Sequence, residues 1–284
     1  MTRNGSNKLD EILAHKRREL ERLLPQRDKL RAAASGREDF RSFFTALGGG
    51  LRDQSEDEGY GAGELAVIAE VKKASPSAGV IAEDFDPVAI AEAYAAAGAN
   101  AISVLTDEKF FQGHLSYLTQ IRQAVGVPLL RKDFIVDETQ IYEAVVAGAD
   151  AVLLIVAALT DRELEDLLKV AEDCQLDALV EVHDLDELDR ALDTDARIIG
   201  VNNRNLKTFE VSLETTERLS QELGPDYILV SESGVHTAED AGKVRAWGAD
   251  AILVGEALMR AGDKAERIAA FKNAPFPAGI GRAE

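Results

Sequence analysis

From residue 65 onward, short apolar, β-branched runs alternate with longer stretches whose apolar positions recur at helical spacing. The runs are 65–71, 101–105, 127–131, 151–156, 177–182, 198–201, 227–230 and 250–254, the rhythm of strand–helix units. Three of the joints before a run carry nearly one string: Ala97-Gly98-Ala99-Asn100, Ala147-Gly148-Ala149-Asp150 and Trp247-Gly248-Ala249-Asp250. Each puts Gly where a helix C-cap needs a left-handed residue. Near-continuous apolar strands with repeated helix-to-strand joints predict a parallel sheet covered by helices, and eight strands favour closure into an α/β fold, the (β/α)₈ (TIM) barrel. The competing open, doubly wound sheet would carry G-x-G-x-x-G after its first strand, and no such string follows residue 71.

Ahead of the barrel, Leu9, Ile12, Leu13, Leu20, Leu23 and Leu24 fall mainly on one helical stripe. They predict an amphipathic helix over 7–24, ending before Pro25. A second short helix over 40–47 runs into Gly48-Gly49-Gly50, and the polar, acidic stretch 52–63 reads as a linker. The expected organisation is a helical extension and linker, 1–64, packed on a catalytic barrel, 65–284.

Charge and composition narrow the function classes. The net charge is −19, although residues 1–41 hold 11 Lys and Arg against 7 Asp and Glu, so the acidity lies in the remainder, 42–284. Nucleic acid is an unsuitable partner for such a surface. The basic run His15-Lys16-Arg17-Arg18, beside Glu11, Glu19 and Glu21, reads as a solvated helix face. No apolar run reaches the roughly 18 residues of a membrane span, and Met1–Asn7 are polar, so a cytoplasmic protein without membrane contact is expected. Cys174 stands alone in a helical stretch and reads as a small hydrophobe. The four histidines show no metal-ligand spacing, so neither metal nor cofactor is expected. A monomer or weak homo-oligomer is the expected state.

Barrel chemistry sits at the C-terminal ends of the strands, and here those ends are unusually polar. The first run ends Glu70-Val71-Lys72, so Glu70 and Lys72 share a face. In Leu130-Arg131-Lys132-Asp133-Phe134, Lys132 and Phe134 face one way and Arg131 and Asp133 the other. The fifth run ends at Glu181, the sixth leads to Asn202 and Arg204, and the seventh to Glu232 and Ser233. Several carboxylates and ammoniums at strand tips are costly to bury for packing alone and point to acid–base work. Ser233-Gly234 and Gly255-Glu256 follow the seventh and eighth runs, where barrels commonly bind phosphate, and Ser75 and Ser77 could add hydroxyls. Phe110 and Phe111 lie in the loop after the second run; packing under the loop suits Phe110, while Phe111 fits packing and an aromatic pocket equally.

The strings Ile68-Ala69-Glu70-Val71-Lys72-Lys73-Ala74-Ser75-Pro76-Ser77, Leu130-Arg131-Lys132-Asp133-Phe134-Ile135 and Val201-Asn202-Asn203-Arg204-Asn205-Leu206 closely resemble those of indole-3-glycerol phosphate synthases. So do Val104-Leu105-Thr106-Asp107 with Phe111, Leu179-Val180-Glu181-Val182-His183 and Ser231-Glu232-Ser233-Gly234-Val235. The resemblance implies a cofactor-independent lyase of tryptophan biosynthesis acting on a small phosphorylated substrate. That substrate, 1-(2-carboxyphenylamino)-1-deoxyribulose 5-phosphate, undergoes ring closure, decarboxylation and dehydration. It implies Lys132 as general acid on the ribulose carbonyl and Lys72 as carboxylate binder sharing acid duty. Glu181 follows as general base or hydroxyl-handling partner in dehydration and Glu70 as the group positioning the lysines and the substrate. Asn202, Arg204 and Glu232 would orient the ribulose part, and Phe111, Phe134 and Leu206 would line an aromatic pocket. Ser75, Ser233, Gly234, Gly255 and Glu256 fall at the phosphate end, with the Glu256 side chain turned away. Three other readings use the same residues: a Schiff-base aldolase-like barrel, a phosphoribosylanthranilate isomerase-like barrel, and a catalytically silent phosphate-binding barrel.

Overall fold

The computed structural model describes residues 8–49, 64–206, 208 and 210–277; the predicted linker 52–63 lies outside them. Eight parallel strands close into a barrel: β1 Ala66–Val71, β2 Ala101–Leu105, β3 Leu129–Lys132, β4 Ala151–Ile155, β5 Asp177–Val182, β6 Ile198–Asn202, β7 Ile228–Glu232 and β8 Ala251–Val254. Each pairs with its chain neighbour, and β8 returns to β1 in the register Ala66↔Ala251. The strand ends differ from the expected ones by at most two residues, where an apolar run extends past or stops short of its ladder.

Alternation along the strands builds two apolar layers. Ala66 and Ile68, Leu130, Leu153, Leu179, Ile198, Val230 and Leu253 fill the barrel interior, and Phe43 and Leu47 from the segment before β1 pack with them. Val67, Ala69, Ile102, Val104, Val152, Val180 and Ile199 point outward against the helices. At β1 the interior parity continues from Ala66 and Ile68 to Glu70 and Lys72, so the packing that fills the barrel also aims the polar residues at its mouth.

The repeated joints have a second use beyond the glycine. Gly98, Gly148 and Gly248 take φ of 86°, 96° and 98°, and the residue after each Gly sends its N–H back to the helix. The Asn or Asp that follows reaches across to the preceding strand. Asn100 accepts from Val67 N–H at 3.1 Å, Asp150 from Leu129 N–H at 3.0 Å and Asp250 from Leu229 N–H at 2.8 Å. One short string therefore ends a helix and ties two successive strands at the bottom of the barrel.

The extension is longer and more helical than its stripe predicts. Helix α1, Lys8–Leu23, is followed by a 3₁₀ turn, Leu24–Gln26, and by α2, Arg27–Ala34. Pro25 ends α1 as expected, but at the first turn of the next element proline costs nothing. Helix α3 covers only Phe43–Ala46, started by the Ser42 side chain accepting from Thr45 N–H. Two polar anchors hold the extension. At the bottom, Asp150 is paired at 2.7 Å with both Arg37 and Arg122 and also accepts from Arg41 N–H. Toward the mouth, Lys16 of α1 lies 3.1 Å from Asp107 and 2.9 Å from Asp133. The solvated reading of His15–Arg18 therefore fails at Lys16, which is 5% exposed. Residues 9, 12, 13 and 16 share one helix face, which here is the buried face.

Cys174 follows the helix Asp161–Asp173 as its half-buried C-cap rather than lying within it. Among the described residues no helix is long and apolar enough to cross a membrane. Breaking the lower anchor should be costly, because Asp150 is fully enclosed between two guanidinium groups. Asp150→Ala is expected to lower the unfolding free energy by about 3–5 kcal/mol, the usual loss for one partner of a buried pair. Urea unfolding measures it; a loss below about 1 kcal/mol, the range of exposed pairs, would remove Asp150 from the anchor.

Candidate active site

The residues assigned to catalysis or substrate binding from the sequence all line one pocket at the C-terminal mouth of the barrel: Glu70, Lys72, Ser75, Phe111, Lys132, Phe134, Glu181, Asn202, Arg204, Leu206, Glu232, Ser233, Gly234, Gly255 and Glu256. The pocket has two chemical halves. Leu105 of β2, Phe134 after β3 and Leu153 and Ile155 of β4 form an apolar side, joined by Phe111. Phe111 belongs to the single helical turn Glu108–Phe111, whose N-cap Asp107 accepts from Phe110 and Phe111 N–H. Its ring lies 6.2 Å from that of Phe134, so Phe111 is a pocket wall. Phe110 instead packs edge-on against His15 of α1. Strands β5, β6, β7 and β1 supply Glu181, Asn202, Glu232 and Glu70 to the polar side, and Lys132 of β3 reaches into it.

Lys132 Nζ stands 3.3 Å from Glu181 Oε2 and 3.3 Å from Glu232 Oε2. Burial alone would push this ammonium down, but the Glu232, Glu181 and Glu70 carboxylates outweigh it and hold Lys132 protonated, above the usual lysine range. The two carboxylates diverge. Burial raises both, but Lys132 and then His183 overturn it for Glu181 and keep it ionised. For Glu232, burial together with the nearby Glu181 and Glu70 charges exceeds the pull of Lys132, and its affinity for a proton is raised. Glu232 Oε1 is buried without a hydrogen-bond partner among the described residues, which suits a protonated or substrate-facing oxygen. One lysine thus sits between a base and a potential acid.

Two glycines make room for these groups. A Cβ at Gly200, on the inward face of β6, would run into the Glu232 carboxylate, and one at Gly255 would meet Glu70 and Lys72. Glu70 and Lys72 form a close ion pair across the β1 tip. Beyond β7 the chain makes a tight corner in which Ser233 and Gly234 take φ of 64° and 88°. Asn203 keeps it in place: its Nδ2 donates at 3.0 Å to Ser231 Oγ, Glu232 O and Ser233 O, while its Oδ1 accepts from Thr216. Glu256 opens the short helix Glu256–Met259, and its carboxylate accepts from Arg260 Nε at 2.9 Å. Ser75 lies in a two-residue antiparallel ribbon with Gly79–Val80, and its Oγ accepts from Ala78 N–H.

Some of the site escaped sequence reasoning. Lys8, Leu9 and Ile12 of α1 line the pocket, as does His236 after β7. The apolar stripe of α1 marked Leu9 and Ile12, but a stripe does not say what it covers. His183 precedes the helix Leu185–Leu192, and its Nε2 lies 3.3 Å from Glu181 Oε1 and its Nδ1 2.9 Å from Glu187. Glu181 therefore presents one oxygen to His183 and the other to Lys132.

Burial would lower the proton affinity of His183, but its two carboxylate partners raise it from 6.5 to about 10. A raised value makes its stabilisation complete below about pH 6.5 and lost as pH climbs toward 10. The stability gap between the protein and a His183→Asn variant should thus be widest near pH 6 and shrink by on the order of a few kcal/mol by pH 10. Denaturation at the two pH values measures it, and a gap independent of pH would show that no imidazolium is held there.

The indole-3-glycerol phosphate synthase family model matches residues 9–271. An indole-3-glycerol phosphate synthase of Roseiflexus castenholzii is 52% identical over 270 residues, covering 92% of this chain and 96% of that one. One of Chlorobium phaeovibrioides is 52% identical over 253 residues, covering 88% and 94%. Among solved structures, a 3-hexulose-6-phosphate synthase superposes with a TM-score of 0.60 at 17% identity, covering 74% of this chain and 100% of that one, a likeness of fold alone. By family model, identity and coverage, this chain belongs to the indole-3-glycerol phosphate synthase family.

Proposed function

We propose that the chain converts 1-(2-carboxyphenylamino)-1-deoxyribulose 5-phosphate to indole-3-glycerol phosphate, with the mouth residues in the following roles. The observation that carries the assignment of roles is Lys132 held between Glu181 and Glu232 at the border of the apolar and polar halves. A substrate with an aryl ring at one end and a phosphorylated sugar at the other would lie across that border. Its ribulose carbonyl then falls near the ammonium.

Lys132 donates a proton to the carbonyl oxygen as the aryl carbon bearing the carboxylate attacks the carbonyl carbon, forming the new carbon–carbon bond. The carboxylate leaves as CO₂ and its bonding electrons restore the ring. The hydroxyl made from the carbonyl then departs as water on a proton from the Lys72 ammonium, while Glu181, ionised and steadied by two cations, takes the proton lost from the neighbouring carbon. Lys72 pairs with the substrate carboxylate before it leaves, and Glu70 positions Lys72. Glu232, Asn202 and Arg204 orient the ribulose hydroxyls. Phe111, Phe134 and Leu206 enclose the ring. Ser75, Ser233 and the N–H groups of Gly234, Gly255 and Glu256 hold the phosphate. The protonated state of Lys132 argues against the Schiff-base alternative, which needs a neutral amine.

The extension, 1–64, and the barrel, 65–284, form one catalytic unit in this reading, working in the cytoplasm as a monomer or weak homo-oligomer without nucleic acid.

Indole fluorescence after mixing the protein with the substrate, with EDTA present, tests the reaction. A flat trace from folded protein would leave only the fold and the family likeness. Lys132→Met should cut turnover by about 10²–10⁴ while substrate binding persists, and near-normal turnover would remove it as the acid. Ser233→Ala should mainly raise KM; a defect confined to kcat would contradict a phosphate role.

A further inference from the structure

We propose that Lys16 of the N-terminal helix is a positioning residue for the aromatic end of the substrate, because its ammonium joins the two carboxylates that hold Phe111 and Phe134. The inference rests on the substrate reading above for its functional consequence, but its geometry stands apart from it.

Two loops carry the facing aromatic walls, and each is fixed by an aspartate. Asp107 Oδ1 accepts from Phe110 N–H at 2.7 Å and from Phe111 N–H at 3.3 Å, setting the single turn that presents Phe111. Asp133 Oδ1 accepts from Phe134 N–H at 2.8 Å. Both aspartates are buried, Asp107 at 0% and Asp133 at 3% exposure. Two buried carboxylates side by side repel unless a cation lies between them. Lys16 Nζ is that cation, 3.1 Å from Asp107 Oδ2 and 2.9 Å from Asp133 Oδ1. Glu19, one turn along α1, holds the same ammonium at 2.7 Å, and Arg131 and Thr106 bind the other oxygen of Asp133.

The connection is directional. Lys16 does not line the pocket, whereas Leu9 and Ile12 on the same face of α1 do. The ammonium acts one shell behind the rings, through the two aspartates and the backbone amides they accept from. Among the described residues nothing comparable links Lys16 to Ser233, Gly234 or Gly255 at the phosphate end, so loss of its charge should loosen one end of the pocket and leave the other unchanged. A helix merely packed on the barrel would show no such asymmetry.

The test compares Lys16→Met, which keeps the aliphatic stem, with Asp107→Asn, which keeps a capping oxygen and cuts one half of the bridge. In each, amide hydrogen exchange of Phe111, Phe134 and Gly234 is followed by NMR, and binding of anthranilate and of glycerol 3-phosphate is titrated. We expect exchange at Phe111 to quicken at least tenfold in both variants, and at Phe134 in Lys16→Met, with Gly234 within twofold. Anthranilate should bind at least tenfold more weakly, glycerol 3-phosphate within twofold, and KM for the full substrate should rise more than kcat falls. Unchanged exchange at both phenylalanines, or equal weakening of both ligands, would overturn the proposal. If Lys16→Met does not fold, Asp107→Asn decides by the same readouts. A parent protein that never forms indole would sink the substrate reading instead, and the exchange rates would still judge the bridge.

Discussion

A carboxylate removed from water is destabilising by several kcal/mol unless cations or donors stand in for the solvent. This chain removes three of them at the strand tips, where Glu70, Glu181 and Glu232 are each less than 5% exposed. Much of the upper barrel can be traced to that constraint. Lys72 and Lys132 supply the charge, His183 answers the second oxygen of Glu181, and Gly200 and Gly255 keep the space open. Because one cation serves two carboxylates, both cannot ionise equally well, and the difference between Glu181 and Glu232 arises from the same crowding. Reactivity and burial cost therefore have one origin here.

The fold was largely legible in the sequence because its signals were local. Apolar runs located the strands, and the period of two carried Glu70, Lys132, Glu181 and Glu232 onto the inner face without knowledge of their partners. The Gly-Ala-Asx joints announced helix ends, but the strand-to-strand bonds of Asn100, Asp150 and Asp250 depend on pairings that only closure creates. Helix α2, Arg27–Ala34, carries a single large apolar residue, Leu30, so its sequence shows no stripe of the kind that reveals α1. Lys16 shows the opposite failure. Its place on the apolar face followed from spacing, but a lysine among acidic neighbours looks solvated until two aspartates from distant loops arrive at its head group.

Site residues were legible as a set and not as a circuit. That Lys132 lies near carboxylates followed from strand parity; which of them keeps its proton depends on burial and on His183, two residues past Glu181 and on the same face. The pocket's contribution from α1 was invisible for a simpler reason, since the extension precedes the barrel by the undescribed 50–63 and no periodicity crosses that interval.

The Gly-Ala-Asx joints also bear on the order in which such a chain could assemble. Each one clips a strand to the strand immediately before it, β1 to β2, β3 to β4 and β7 to β8, across sequence separations of 33, 21 and 21 residues. Closure of β1 on β8 spans most of the chain. Short loops close at smaller entropic cost than long ones, so the clipped strand–helix–strand pieces are the natural early structures, and ring closure comes late. At β5 the pattern breaks, because Asp177 accepts instead from Phe44 N–H in the extension. Docking of the extension is thereby tied to the middle of the barrel, and the nucleus that starts the collapse need not include the residues that later carry the chemistry.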